Sequence, residues 1–273
     1  MNLKQKALEI AGIYSKNSKI DAVMLAGSVS RGWHDKYSDI ELNLFWAERI
    51  TDEDRKQPIE KVEGNLLSYH PYEEEEWSES YITNGMKIEV SSFLTSTVEN
   101  VIRDVVERYD TDYGKQCIVT AVKTGIGLFG ENKIKAMREK VDSYPVQLYE
   151  KMIIANLDFG NQWNNRNGLL QRKDWVMLYD VINTIQRKLF GILFGLNHMY
   201  IQHPQFKWMQ NTIDQMNIKP KRLVEQMENV LLDTPTNGLR ELETLIKEVL
   251  LLVERHMPHL PLEEHKQLIY YAK

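Results

Sequence analysis

Apolar positions recur every three to four residues from Leu3 to Tyr14, with Leu3, Ala7, Ile10 and Tyr14 on one stripe, and this spacing predicts an amphipathic helix. The period then shortens. Residues 21–26 form a compact apolar run halted by Gly27-Ser28, the pattern of a short buried strand, and residues 29–37 turn with the help of Gly32. From residue 38 to about 46 the alternation predicts a second strand. Ile40, Leu42 and Leu44 share one face of it, while Asp39, Glu41 and Asn43 share the other. Residues 51–63 are charged and predicted helical, with Pro58 blurring the bounds. Residues 66–70 read as a strand and the run 73–76 as a solvated turn. Asn84-Gly85 then joins two arms, 77–83 and 86–93, as a hairpin with a tight two-residue turn. In the second arm Lys87, Glu89 and Ser91 point away from Met86, Ile88 and Val90. Ser96 and Glu99 have capping-box spacing and predict a helix to about residue 109. A connecting segment over 117–129 and a charged helix over 132–141 complete this half.

Beyond Pro145 the pattern is helical almost throughout. Helices are expected over 145–165, 173–196, 206–216, 220–232, 238–256 and 261–271, with Pro145 opening the first of them. The helix at 238–256 has Leu239, Leu242, Leu245, Ile246, Val249 and Leu252 as its buried set, against its own bundle or against a second copy of the chain. These stripes cannot be buried singly, so they imply a bundle. The fold class expected is α+β: residues 1–143 as a small domain with a mixed, twisted sheet, and 144–273 as an all-helical domain closing over its cleft.

Composition narrows the function classes. A single cysteine, Cys117, excludes an intrachain disulfide framework and an all-cysteine zinc site, and its apolar neighbours predict a buried, inert thiol. No apolar run suits a signal peptide or a membrane span, so the expectation is a cytoplasmic protein with no membrane partner. Residues 1–143 hold 19 Lys/Arg against 25 Asp/Glu, and 144–273 hold 15 against 14. No basic block exists to neutralise a nucleic-acid backbone, which argues against DNA as a partner and disfavours RNA.

The chemistry concentrates in residues 26–46. Gly27 lets backbone N–H groups approach phosphate oxygens, Ser28 adds a short hydroxyl donor, and Arg31 or Lys36 can neutralise negative charge. Asp39 and Glu41 on one strand face can both reach a hard cation. Glu89, mid-strand on the hairpin, is the third carboxylate. Three clustered acids repel one another unless cations join them, and two Mg2+ about 3.5–4 Å apart would bridge the oxygens of an in-line displacement at phosphorus.

This segment resembles the signature of the nucleotidyltransferase superfamily related to DNA polymerase beta: Gly-Ser, a spacer, Asp-x-Glu, then a later acidic strand residue. The two-part layout resembles bacterial nucleotidyltransferases that modify aminoglycoside or lincosamide antibiotics. The resemblance implies that Gly27 and Ser28 touch a triphosphate and that Asp39, Glu41 and Glu89 hold Mg2+. It further implies transfer of a nucleoside monophosphate, AMP from ATP or its counterpart from another triphosphate, to an acceptor hydroxyl. The helical domain would hold the acceptor. Glu41 stands where many relatives carry Asp, and its extra methylene still reaches an ion.

Alternatives stay open. A register slip would put Glu79 or an acid of 73–76 in the place of Glu89. The general base is Glu89 itself, or Glu150 or Asp158 on the first long helix of the second half, with Asp174 and Asp180 weaker. Trp33 and Tyr37 can stack on a base or pack. Residues 196–208, with His198, His203, Lys207 and Trp208, read more readily as an aromatic-packed helix end than as a cleft wall, and two histidines with no cysteine beside them do not make a zinc site. The same-fold rival is transfer to a protein or an RNA end; the different-class rival is a non-catalytic nucleotide-binding regulator.

Overall fold

A computed structural model of the chain describes residues 3–271. The chain has an α+β architecture whose described residues divide into two compact units, 3–110 with 114–143, and 111–113 with 144–271.

The first unit opens with α1 (Leu3–Tyr14), whose Ala7, Ile10, Ala11 and Tyr14 are buried. Next come β1 (Ile20–Leu25), the five-residue α2 (Gly27–Arg31) and β2 (Ile40–Trp46). α3 (Asp52–Lys61) follows, then β3 (Asn65–Glu73), β4 (Glu76–Thr83) and β5 (Met86–Leu94). α4 (Thr95–Glu107), α5 (Tyr113–Thr124), β6 (Ile126–Phe129) and α6 (Glu131–Val141) complete it. The six strands form one mixed sheet in the order β3-β4-β5-β2-β1-β6. β2 and β5 run parallel at its centre, and the other pairs are antiparallel. Alternation decides which side chains are buried. Ile40, Leu42 and Leu44 of β2, Ile88 and Val90 of β5, and Val23 and Leu25 of β1 join the α1 stripe in one core. The residues between them on β2 and β5, Glu41 and Glu89, therefore take the opposite face.

The β4–β5 hairpin closes through Asn84 and Gly85 at φ +50° and +75°, with Thr83 paired to Met86. Both central residues are left-handed, which the right-handed strand twist demands of a two-residue turn. Other local expectations change. α4 begins at Thr95, so Ser96 lies inside the helix and no side chain caps its start; the Thr95 hydroxyl instead donates to Asp21 at 2.6 Å. The capping box sits on α3, between Thr51 and Asp54. Residues 117–129 are not a plain connection: most of α5 and all of β6 lie there. The inner face of α5 mixes Gln116 and Thr120 with Val119 and Val122, so no clean apolar stripe marks it.

Asp54 also accepts from Lys19 at 3.0 Å and from Asn17 at 2.7 Å. Burial alone would raise its pKa, but hydrogen bonds from the Thr51 backbone, Lys19, Asn17 and the Thr51 hydroxyl bring it down to about 2 from the ordinary 3.8. The stability this group contributes is complete above the ordinary value and is lost as pH falls through about 2. Asp54→Asn is expected to cost about 2 kcal/mol near neutrality and to flatten that acid limb, as read from urea unfolding at a series of pH values.

The second unit is helical. Pro145 caps α7 (Val146–Leu157). The single helix expected over 145–165 is broken at Asp158, whose carboxylate accepts the Gly160 N–H at 2.9 Å while Gly160 turns left-handed at φ +71°. α8 (Gly160–Asn164) and α9 (Arg166–Arg172) follow that break, and then comes the central α10 (Trp175–Leu196). α7 lies against Gly191 and Gly195 of α10, where a Cβ at 191 would meet the Asn156 side chain at 2.5 Å. α11 (Met209–Asp214), α12 (Leu223–Leu232), α13 (Pro235–His256) and α14 (Glu263–Tyr270) complete the unit. No helix among the described residues is long and apolar enough to cross a membrane.

Candidate functional site

The site is built where β1 ends beside the start of β2. The Ala26 N–H donates to the Glu41 carbonyl at 2.9 Å, and the chain then turns into α2 with Gly27 at φ +64°. Glycine is needed there twice over. The conformation is one that L residues adopt with strain, and a Cβ would lie 2.4 Å from the Glu41 carboxylate. The Ser30 hydroxyl donates back to the Gly27 carbonyl at 2.9 Å, and Gly32 ends the helix left-handed. The first-turn N–H groups of α2 have no intrahelical acceptor. The Ser28 side chain is buried, and its hydroxyl makes no hydrogen bond among the described residues.

Glu41 and Glu89 are direct partners across the parallel β2–β5 ladder, and Asp39 precedes Glu41 by one pleat. All three are half-buried, and one carboxylate oxygen from each lies within 4.8 Å of the other two. Three carboxylates this close need positive charge between them. The chain supplies some: the Lys87 ammonium stands 3.4 Å from Asp39 Oδ2 and donates to Glu89 Oε1. The Glu89 hydrogen bond in particular raises the Lys87 pKa. A cation is thus already drawn to the carboxylates, and an all-oxygen donor set without thiol or imidazole suits Mg2+.

Arg31 lies beside this cluster. Burial lowers its pKa while the Glu41 charge pulls it back up, and its guanidinium sits 5.3 Å from the Trp33 ring. Lys36 is exposed, with its ammonium 4.8 Å from the Tyr37 ring, and makes no ion pair among the described residues. Glu79, the alternative third acid, is on the other face. It pairs with Val90 across β4–β5 and is 2% exposed in the core, with its carboxylate bound by Arg55 at 2.7 Å. The four glutamates of 73–76 lie at the β3–β4 turn, with Glu74 and Glu75 at positive φ.

In the second unit, Asp158 is engaged by the Gly160 N–H, Asp174 pairs with Arg172 at 2.9 Å, and Glu150 lies 3.9 Å from His259. His198 stacks on Tyr144 and meets Tyr149 edge-on, the aromatic-packed helix end expected there. Cys117, expected in the core, is half-buried on α5 instead. Lys87 is the contact that reasoning from sequence missed; its only signal was its period-two placement beside Glu89.

Gly27→Ala is expected to push the Glu41 carboxylate aside and weaken Mn2+ binding about tenfold or more. Gly32→Ala is the control: its φ is also positive at +74°, but a Cβ there meets nothing within 4 Å. It should show the backbone strain in thermal unfolding while leaving Mn2+ affinity unchanged.

Residues 112–209 match a domain family of unknown function, DUF4037, which covers under half of the chain and runs from α5 to the start of α11. No curated protein matches. Among solved structures, the chain is similar to a nucleotidyltransferase-like protein from Exiguobacterium sibiricum over 97% of its own length and 87% of that chain. Identity there is 12% and the TM-score 0.43, a likeness too loose to carry an argument about this chain.

Proposed function

We propose that the first unit is the catalytic unit of a Mg2+-dependent nucleotidyltransferase, moving AMP from ATP to a hydroxyl of a small acceptor. The observation that supports this reading is the convergence of Asp39, Glu41 and Glu89 within 4.8 Å, beside the Gly27 turn. Asp39, Glu41 and Glu89 would hold Mg2+, which when bound neutralises the triphosphate and favours pyrophosphate as leaving group. The first-turn N–H groups of α2 and the free Ser28 hydroxyl bind phosphate oxygens, and Arg31 adds positive charge next to Glu41. The Glu89 side chain is 44% exposed against 20% for Asp39, which leaves it open to take the acceptor's proton on a carboxylate oxygen. The acceptor oxygen bonds to the α-phosphorus as the bond to pyrophosphate breaks.

The test is incubation with each labelled nucleoside triphosphate and Mg2+ against a panel of acceptors. The panel holds aminoglycoside- and lincosamide-like compounds, other small hydroxylated compounds, proteins and RNAs. Pyrophosphate release that requires ATP and one small acceptor is the expected outcome. Release that requires a protein or an RNA would move the acceptor class. Nucleotide binding without release under any acceptor would make the unit a regulator rather than an enzyme.

A further inference from the structure

We propose that the helical unit carries a ligand site of its own: a cleft lined by α10, α12 and residues 205–209 that binds a small organic amine with an apolar or aromatic body. The cleft is about 530 Å3, within the range of small-molecule sites. Its apolar wall is made by Phe190, Phe206, Met209, Met227, Leu231 and Leu232. Phe206 stacks on Phe190 with ring centroids 4.5 Å apart, and it is held there in left-handed backbone at φ +54°, a conformation that bulky residues adopt only when their surroundings enforce it.

The polar groups on the wall choose the charge of the occupant. Gln186 is only 7% exposed, and its amide N–H donates to the Met227 carbonyl at 3.0 Å, which fixes the side chain and leaves its own carbonyl oxygen without a partner among the described residues. An oriented, unpartnered acceptor on a nearly buried side chain awaits a donor. Asp180 and Glu228 line the same cleft, and neither makes a hydrogen bond or ion pair among the described residues. Against these acceptors stands one cation, Arg187, whose guanidinium donates to Thr184 of its own helix at 3.2 Å. A ligand ammonium would satisfy the Gln186 oxygen and face two free carboxylates, whereas a ligand carboxylate would meet both of them as repulsion. The apolar body then lies on Phe190, Phe206 and Met227. The site lies wholly within the second unit and does not depend on the nucleotidyl-transfer reading.

Three probes of equal shape test it on the full chain: 4-phenylbutylamine, 4-phenylbutanol and 4-phenylbutyrate, with binding followed by isothermal titration and ligand-observed NMR. The amine is expected to bind saturably and about tenfold or more tighter than the alcohol, with the acid weakest. The double variant Asp180→Asn/Glu228→Gln changes two exposed side chains and is expected to erase the preference for the amine while retaining the alcohol. Asp39→Asn is expected to bind the amine like the native chain, which separates this site from the carboxylate cluster. Equal affinity for the three probes, no saturable binding of the amine, or an unchanged preference in the double variant would overturn the proposal. Binding of an apolar peptide with no gain from added amines would overturn it too, by assigning the cleft to a protein partner.

Discussion

Asp39→Asn is expected to lower acceptor-dependent pyrophosphate release by about a thousandfold or more while leaving the unfolding transition in place. The substitution keeps shape and one oxygen donor but removes a full negative charge from a cluster whose oxygens lie within 4.8 Å of one another. In the proposed reaction that charge would supply several kcal/mol of stabilisation at the reacting phosphorus, and each 1.4 kcal/mol or so is tenfold in rate. The fold should tolerate the change, because Asp39 sits before the first residue of β2 and its acidic side chain bonds Lys87 rather than the core. Glu89→Gln is expected to act alike. Turnover that survives Asp39→Asn would remove the catalytic role proposed for the cluster.

The largest expected effect on stability lies on the other face of the sheet. Arg55 on α3 and Glu79 on β4 are each 2% exposed. Arg55 donates from Nε to Glu79 Oε2 at 2.8 Å and to the carbonyls of His70 and Ser78 at 2.8 and 3.0 Å, with the Tyr69 ring centred 3.8 Å from its guanidinium. Glu79 Oε1 has no hydrogen-bond partner among the described residues. Glu79→Gln leaves a buried guanidinium without its counter-charge, and Arg55→Met leaves a buried carboxylate without its own. Each is expected to cost about 3–5 kcal/mol in urea unfolding, while Arg55→Met/Glu79→Leu together recovers most of the loss, because a buried pair returns little more than its desolvation cost. A double variant as unstable as either single one would contradict this. Burial raises the pKa of the Glu79 carboxyl, against the downward pull of Arg55. The folded chain therefore holds this proton more tightly than the unfolded chain, and the stability contributed by the group declines as pH rises above the ordinary 4.5. Per folded molecule, Glu79 variants should turn over normally, in contrast to Glu89 variants.

What could be read in the sequence was local. Alternation put Asp39 and Glu41 on one face, and the Asn84-Gly85 pair fixed the hairpin register that gives Glu89 and Glu79 opposite faces. The parallel pairing that sets Glu89 against Glu41 joins strands more than forty positions apart, and no short-range pattern encodes it. The errors arise where a group finds a partner other than the one its local pattern suggests. Ser96 with Glu99 had the capping spacing, but Thr95 found Asp21 in the fold and the helix began earlier. The pattern places Asp158 inside a continuous helix, as a candidate base, yet its carboxylate captures the Gly160 N–H two residues on and ends α7. Lys87 carried no motif beyond its period-two place beside Glu89; its contact with Asp39 emerges only when β2 and β5 meet.

The most direct test of a shared cation site is Mn2+ titration followed by electron paramagnetic resonance, with ATP present and absent. The native chain is expected to bind Mn2+ saturably, to release it to Mg2+, and to lose that binding in Asp39→Asn and in Glu89→Gln but not in Glu79→Gln. Equal Mn2+ binding in the native chain and in the Asp39 and Glu89 variants would show that these carboxylates hold no metal.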